Sequence, residues 1–266
     1  MTASLTRYGL RFVALGYLLA LLIVPVVMIL RKAFENGFGP FWTAITQPDA
    51  VHALKLTLEI ALISVPLNTA FGIVFAIMLV RHDFPGKSVL NAFLALPFAL
   101  SPVVIGLALI LAYGEGGWFG KDLANAGFQV VFSMPGMILA TLFVSLPFVA
   151  REVMPVLREI GDEQEQAAAT LGAGAFTTFR RITLPAIRWG VIYGVILTTA
   201  RCIGEYGAVA VISGNVIGET ETMPLIVKRL YDGFDKQGAY SVSVVLAAIA
   251  LTTVLLMTLF KPKVEA

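Results

Sequence analysis

The sequence predicts an all-α integral membrane protein of six transmembrane helices with both termini in the cytoplasm. Three observations lead there: a composition too apolar for water, six long stretches nearly free of charge, and an excess of Lys and Arg in alternate connections. Hydrophobic residues make up 58% of the 266-residue chain and charged residues 14%, against about 45–50% and about 25% in soluble domains. Mean hydropathy is +0.86. A soluble globule of this length cannot hide that much apolar surface, and a chain this apolar does not stay disordered. The formal net charge of +2 gives no basic footprint for nucleic acid. One cysteine, Cys202, excludes an internal disulfide and a cysteine-based metal site. His52 and His82 lie in different connections and make a poor metal pair.

Crossing about 30 Å of hydrocarbon at 1.5 Å per residue takes about 20 apolar residues. The expected spans are about 12–30, 57–80, 88–112, 134–150, 189–212 and 239–260. The first follows Arg7 and Arg11, is longer than a signal-peptide core and has no A-x-A site after it, so it reads as a retained helix. The second is uncharged from Ile60 to Val80. The third lies in an uncharged run from Ser88 to Gly114, more than one crossing needs. The fourth is the strongly apolar part of a run ending at Ala150. The fifth is interrupted by Arg201 and Glu205, and the sixth runs from Ala239 to Phe260. Pro25, Pro66, Pro97, Pro102 and Pro147 are expected to kink their helices. Gly190 and Gly194 form a G-x-x-x-G that lets helices approach closely.

Orientation follows from the short connections. With the N-terminus inside, inner segments hold eleven Lys and Arg: Arg7, Arg11, Arg81, Lys87, Arg151, Arg158, Arg180, Arg181, Arg188, Lys261 and Lys263. Outer segments hold seven. The inner turn 81–87 reads P-G-K-S at Pro85–Ser88, but a phosphate loop needs glycine where Arg81 stands, so no nucleotide site is expected in this chain.

The inner connection 151–187 is long enough to have its own structure or task. Asp162 is placed to cap a helix, with Glu165 as its capping-box partner. Gln164, Ala167, Ala168, Ala169 and Leu171 favour helix, and Gly172 and Gly174 are expected to stop it. A second short helix is expected over 175–181. The small alanines leave a flat face for another protein.

This segment resembles the E-A-A, three residues, G, nine residues, I-x-L-P motif of inner-membrane subunits of ABC importers. The matching residues are Gln166, Ala167, Ala168, Gly172, Ile182, Leu184 and Pro185. Gln166 stands where the motif has glutamate, with Glu165 just before it, so either side chain is a candidate for the ATPase contact. The resemblance extends to the sulfate/thiosulfate permease family of the CysW type over nearly the whole chain. It is carried by Phe84-Pro-Gly86, Leu96-Pro-Phe98, Ser101-Pro-Val-Val104, Pro135-Gly136, Pro147-Phe-Val-Ala-Arg-Glu152, Ala200-Arg201 and Gly204-Glu-Tyr-Gly-Ala208. Molybdate and tungstate permeases share the last segment, Gly214-Asn215 and Thr220-Glu-Thr-Met-Pro-Leu225. The resemblance implies the type I ABC importer permease fold and a non-catalytic subunit in the inner membrane. It also implies a companion permease in a heterodimer, two ATP-binding cassette subunits carrying ATP and Mg, and an extracytoplasmic sulfate-binding protein.

Arg201 and Glu205 are four apart on one face of the fifth span. Intramembrane ions mark pathways by default, so the pair either gates the anion route or is a self-neutralised structural pair. Asn68 and Ser101 are candidate lining residues or interhelical hydrogen-bonders. The competing functions are a molybdate or tungstate ABC permease and an ion-driven secondary anion transporter, for the latter of which the sequence shows no inverted repeat and which leaves the connection 151–187 unexplained.

Overall fold

The computed structural model describes residues 2–259. Phe260, Lys261 and Lys263 lie outside the described residues, as does the side chain of Arg7. Among the described residues the chain is helical and has no strand. The helix α1 (Thr2–Ala33) leads through a Gly37 turn into short α2 (Phe38–Thr46) and long α3 (Pro48–Arg81). Next come α4 (Lys87–Ala99), α5 (Pro102–Tyr113) and short α6 (Gly120–Asn125). They are followed by α7 (Met134–Ser145), α8 (Pro147–Ile160), α9 (Glu163–Thr170) and α10 (Ala175–Thr178). A π-helical turn over Phe179–Thr183 enters α11 (Leu184–Ile203), and α12 (Gly207–Ile212), α13 (Met223–Asp232) and α14 (Lys236–Leu259) complete the chain.

Four helical runs among the described residues are long and apolar enough to cross a membrane: Leu10–Ala33, Pro48–Arg81, Met134–Ile160 and Ala175–Ile203. A fifth exists if α4 and α5 count as one span, but they meet at 114°. The expected single helix over 88–112 is therefore broken. Leu100 and Ser101 are both extended, at ψ 140° and 137°. The cause is Pro102: its ring pushes the preceding residue out of the helical region, and its own fixed φ suits the first turn of the next helix. The run 189–212 is also broken, since α11 stops at Ile203 and α12 restarts at Gly207. The sixth stretch, 239–260, falls on α14 as far as Leu259.

Three helices, α3, α8 and α11, form the centre. They cross where the sequence supplies glycine. A Cβ on Gly72 would stand 2.6 Å from Val149 Cβ, and one on Gly194 would stand 2.7 Å from Val149 Cα. A Cβ on Gly190 would stand 2.9 Å from the Glu152 carbonyl oxygen. The G-x-x-x-G therefore serves packing inside this chain, as the close approach of small residues predicts. Val149, Ala150, Val153, Leu157 and Ile187 are fully buried around this crossing. A second core joins α5, α7 and α12 through Ile105, Met137, Val209 and Ile212. In contrast, the large apolar side chains of α1 from Leu10 to Leu30 are mostly exposed, and α1 rests on α14.

Candidate functional site

The connection after α8 is shorter than expected, because α8 continues to Ile160 and α11 begins at Leu184. What remains is a hairpin over 161–183. Gly161, at φ 65°, turns the chain out of α8. The predicted capping box is not made: Asp162 gives no side-chain cap, and its Oδ2 accepts instead from Gln166 Nε2 at 2.8 Å. Glu165 reaches away from its own helix end because stronger partners stand beside it.

Those partners come from two other elements, α3 and the π-turn. Arg81 Nε donates to Glu165 Oε2 at 2.9 Å, and Thr183 Oγ donates to Glu165 Oε1 at 2.7 Å. The same guanidinium donates to the carbonyls of Leu157 at 2.9 Å and Gly161 at 2.6 Å. Arg81 thus ties the last turn of α3 to the open end of α8 and the first turn of α9. A cation at a helix C-terminus is favoured by the unpaired carbonyls and the helix dipole. Side-chain exposure is 12% for Arg81 and 20% for Glu165, so solvent screens this bridge only partly.

The helix α9 ends as its glycine requires. Gly172 sits at φ 81° and donates to the Ala169 carbonyl, while Ala173 donates to Ala168. This double return is the Schellman closure, and only glycine enters that backbone region without strain. Gly174 has an ordinary φ of −72°, so the stop rests on Gly172. The second helix is two pieces, α10 and the π-turn that contains Ile182. Thr183 at its end is buried, which aims its hydroxyl at Glu165. Leu184 and Pro185 open α11, where a missing proline N–H costs nothing. Of the motif positions, Ala168 is buried, whereas Gln166, Ala167 and Gly172 are exposed. Leu171 and Phe176 add two exposed apolar side chains to the same hairpin. Glu165 therefore faces inward and Gln166 outward.

The other predicted residues lie elsewhere. Arg201 Nη1 and Glu205 Oε2 pair at 2.6 Å, with Glu205 only 2% exposed. Glu205 Oε1 also accepts the Ala208 N–H at 2.9 Å, at the start of α12. Its geometry is that of a neutralised pair that caps the broken helix. Asn68 is fully buried and donates to Ser145 Oγ at 2.7 Å and the Leu142 carbonyl at 3.2 Å, so it joins α3 to α7. Ser101 is exposed in the α4/α5 break.

Sequence reasoning missed two sites. Arg81 counted only as an inner charge, because its partner lies 84 residues away. A second cluster forms around α13, where Arg229 meets the buried Glu221 at 2.7 and 3.0 Å and Asp49 at 3.4 Å. The Glu221 hydrogen bond pushes the Arg229 pKa further above its ordinary value. The signal was there in Thr220-Glu-Thr-Met-Pro-Leu225, an acid beside apolar residues, but its partner was not.

Residues 68–266 match the family model described as binding-protein-dependent transport system inner membrane component. The chain is 48% identical over 257 residues to the "Sulfate transport system permease protein CysW" of Synechocystis, covering 97% of this chain and 93% of that one. It is 43% identical to the protein of the same name from Escherichia coli K12, covering 92% and 84%. Among solved structures, a chain of a bacterial ABC transporter that imports the acidic polysaccharide alginate superposes with a TM-score of 0.80 at 18% identity, covering 100% and 98%. At that identity the likeness is one of fold.

Proposed function

The chain belongs to the family of inner membrane components of binding-protein-dependent transport systems, and on that premise we propose that it conducts sulfate as the permease subunit of an ATP-driven importer. One observation carries the substrate: 48% identity, nearly end to end, to a protein named for sulfate transport. The chain is a non-catalytic inner-membrane subunit of a binding-protein-dependent system. No reading of it as an ion-driven carrier has an observation in its favour.

Six spans with cytoplasmic termini place the 161–183 hairpin on the ATPase side. This chain pairs with a companion permease, and two ATP-binding cassette subunits hold ATP and Mg. An external binding protein delivers sulfate or thiosulfate. The exposed surface of α9, with Gln166, Ala167, Leu171 and Phe176, meets an ATPase subunit. Gln166 makes that contact as a neutral hydrogen-bonder, because Glu165 is already held inside. The tie through Arg81 and Thr183 carries ATPase motion into α3, α8 and α11, a rigid-body switch between two states. Arg201 and Glu205 hold the α11/α12 break in shape beside the route, and Asn68 holds α3 to α7. Ser101 lines the route at the α4/α5 break.

The test is labelled-sulfate uptake in cells lacking this chain, restored with wild-type or Gly172→Pro. Restored uptake, blocked by excess thiosulfate, spared by molybdate and abolished by Gly172→Pro, is the expected result. Block by molybdate assigns the molybdate branch instead. Uptake that persists with Gly172→Pro, or without ATP, overturns coupling through the hairpin.

A further inference from the structure

Two arginines of α8 stand outside every ion pair found among the described residues: Arg151 and Arg158. They are seven residues apart, two helical turns, and so share one face about 10 Å apart along the axis. Both are exposed, as is Pro155 between them, whereas Ala150, Val153, Met154 and Leu157 on the other face are buried. The arginine face is the one this chain leaves open.

Arg151 is deep. The Arg81 guanidinium, at the end of the apolar run of α3, holds the Leu157 carbonyl. Arg151 precedes Leu157 by six residues, so its Cα lies about 9 Å further toward the membrane centre. An arginine at that depth faces protein or a water-filled path, not lipid. Among the described residues no acid pairs with it. Its guanidinium instead lies over the Phe98 ring at 4.5 Å, and Phe98 is set edge-on against Phe148 at 5.4 Å. This cation–π contact uses none of the guanidinium N–H donors, and no hydrogen bond among the described residues takes them up, so they are free for two-point binding of an oxyanion. Phe98 is the second-last residue of α4, next to the break where Ser101 is exposed.

Two turns further along, Arg158 opens on a cleft of about 200 Å³ that it shares with Lys87, Ser88 and Asn91. No carboxylate lines this cleft. Lys87 is paired with Asp83 at 2.7 Å, so Arg158 is the unpaired charge there.

We propose that the open face between α4 and α8 is the inner half of the anion route. Arg151, stacked on Phe98 at the α4/α5 break, receives the tetrahedral dianion from the membrane centre. Arg158, with Ser88 and Asn91, takes it next and releases it to the cytoplasm. Successive single arginines bind firmly enough to admit a dianion and loosely enough to let it go. This inference rests on the sulfate-permease reading and names the residues that reading lacks.

The test uses the complete reconstituted transporter with its binding protein, scored for sulfate uptake, ATP hydrolysis and subunit co-purification. Arg151→Gln is expected to lower uptake at least tenfold while assembly and binding-protein-stimulated hydrolysis stay within twofold. Arg151→Lys is expected to keep an intermediate rate. In an Arg151→Cys transporter, 2-sulfonatoethyl methanethiosulfonate is expected to label the new thiol, and sulfate is expected to slow the labelling. The native Cys202 is buried and gives little background. Full uptake by Arg151→Gln, or an unlabelled Arg151→Cys, overturns the proposal. Loss of uptake together with loss of assembly also overturns it, assigning Arg151 to subunit packing. A wild-type complex that takes up no sulfate overturns the function reading instead, so the two failures are told apart.

Discussion

Replacing Arg81 by alanine tests whether the hairpin is a transmission part or only a surface loop. The substitution removes three hydrogen bonds from one guanidinium: to Glu165, to the Leu157 carbonyl and to the Gly161 carbonyl. It leaves Glu165 with Thr183 alone. Breaking one partner of a fully buried pair costs about 3–5 kcal/mol. Here the two side chains are 12% and 20% exposed, and water reaches the abandoned groups, so the expected cost falls to about 2–3 kcal/mol. At 1.4 kcal/mol per tenfold, that shifts the docked-to-undocked ratio of α9 by roughly 30–150-fold. The apolar packing of α3 on α8 and α11 through Ala76, Leu79, Val149, Val153 and Ile187 remains, so the helix bundle itself persists. The expected result in proteoliposomes is ATP hydrolysis near the wild-type rate with several-fold more ATP used per sulfate imported. Arg81→Lys keeps the charge but loses the three-way fork and falls between the two. Gln166→Ala, which loses only an exposed bond to Asp162, is expected to leave stability unchanged. An unaltered ratio of ATP to sulfate in Arg81→Ala would falsify the transmission argument, since the bridge would then be broken without consequence.

Three further outcomes follow from the same structure. Gly194→Val puts a branched side chain where even a Cβ comes within 2.7 Å of Val149 Cα, and a shift of α8 from α11 is expected to cost about 1–3 kcal/mol or more; detergent-stable yield on size exclusion checks it. Glu205→Gln keeps an acceptor for the Ala208 N–H but no longer neutralises Arg201, whereas Glu205→Ala loses both contacts; a fall in melting temperature for both, larger for alanine than for glutamine, is the readout. Arg229→Ala leaves Glu221, 3% exposed, without its partner, but Arg229 itself is 35% exposed and solvent screens the pair, so the expected cost is about 1–3 kcal/mol, and Glu221→Gln with Arg229→Ala recovers part of it, as thermal unfolding of the purified permease measures.

The sequence carried some of these features and hid others for reasons that can be named. Long apolar stretches were legible because a membrane imposes one length on every span, and Gly172 was legible because a left-handed helix end admits few other residues. The broken third stretch was legible in principle, since Ser101 precedes Pro102 and the residue before proline leaves the helical region. An unbroken run of uncharged residues outweighed that single bond. Glu165 was misread for a different reason. Spacing offers only local partners, so an acid three residues after Asp162 reads as a capping box. Its real partners, Arg81 and Thr183, are 84 and 18 residues away, and no periodicity reports them. The helix period still explains which way the acid turns. Glu165 and Ala168 are three apart on one face, and Ala168 is buried. Gln166 is rotated by about 100° from Glu165 and is exposed. A glutamate at 166 would stand on the surface with Asp162 four residues back. With glutamine there instead, the single acid of this pair is the one the fold has turned inward, where an arginine from α3 holds it.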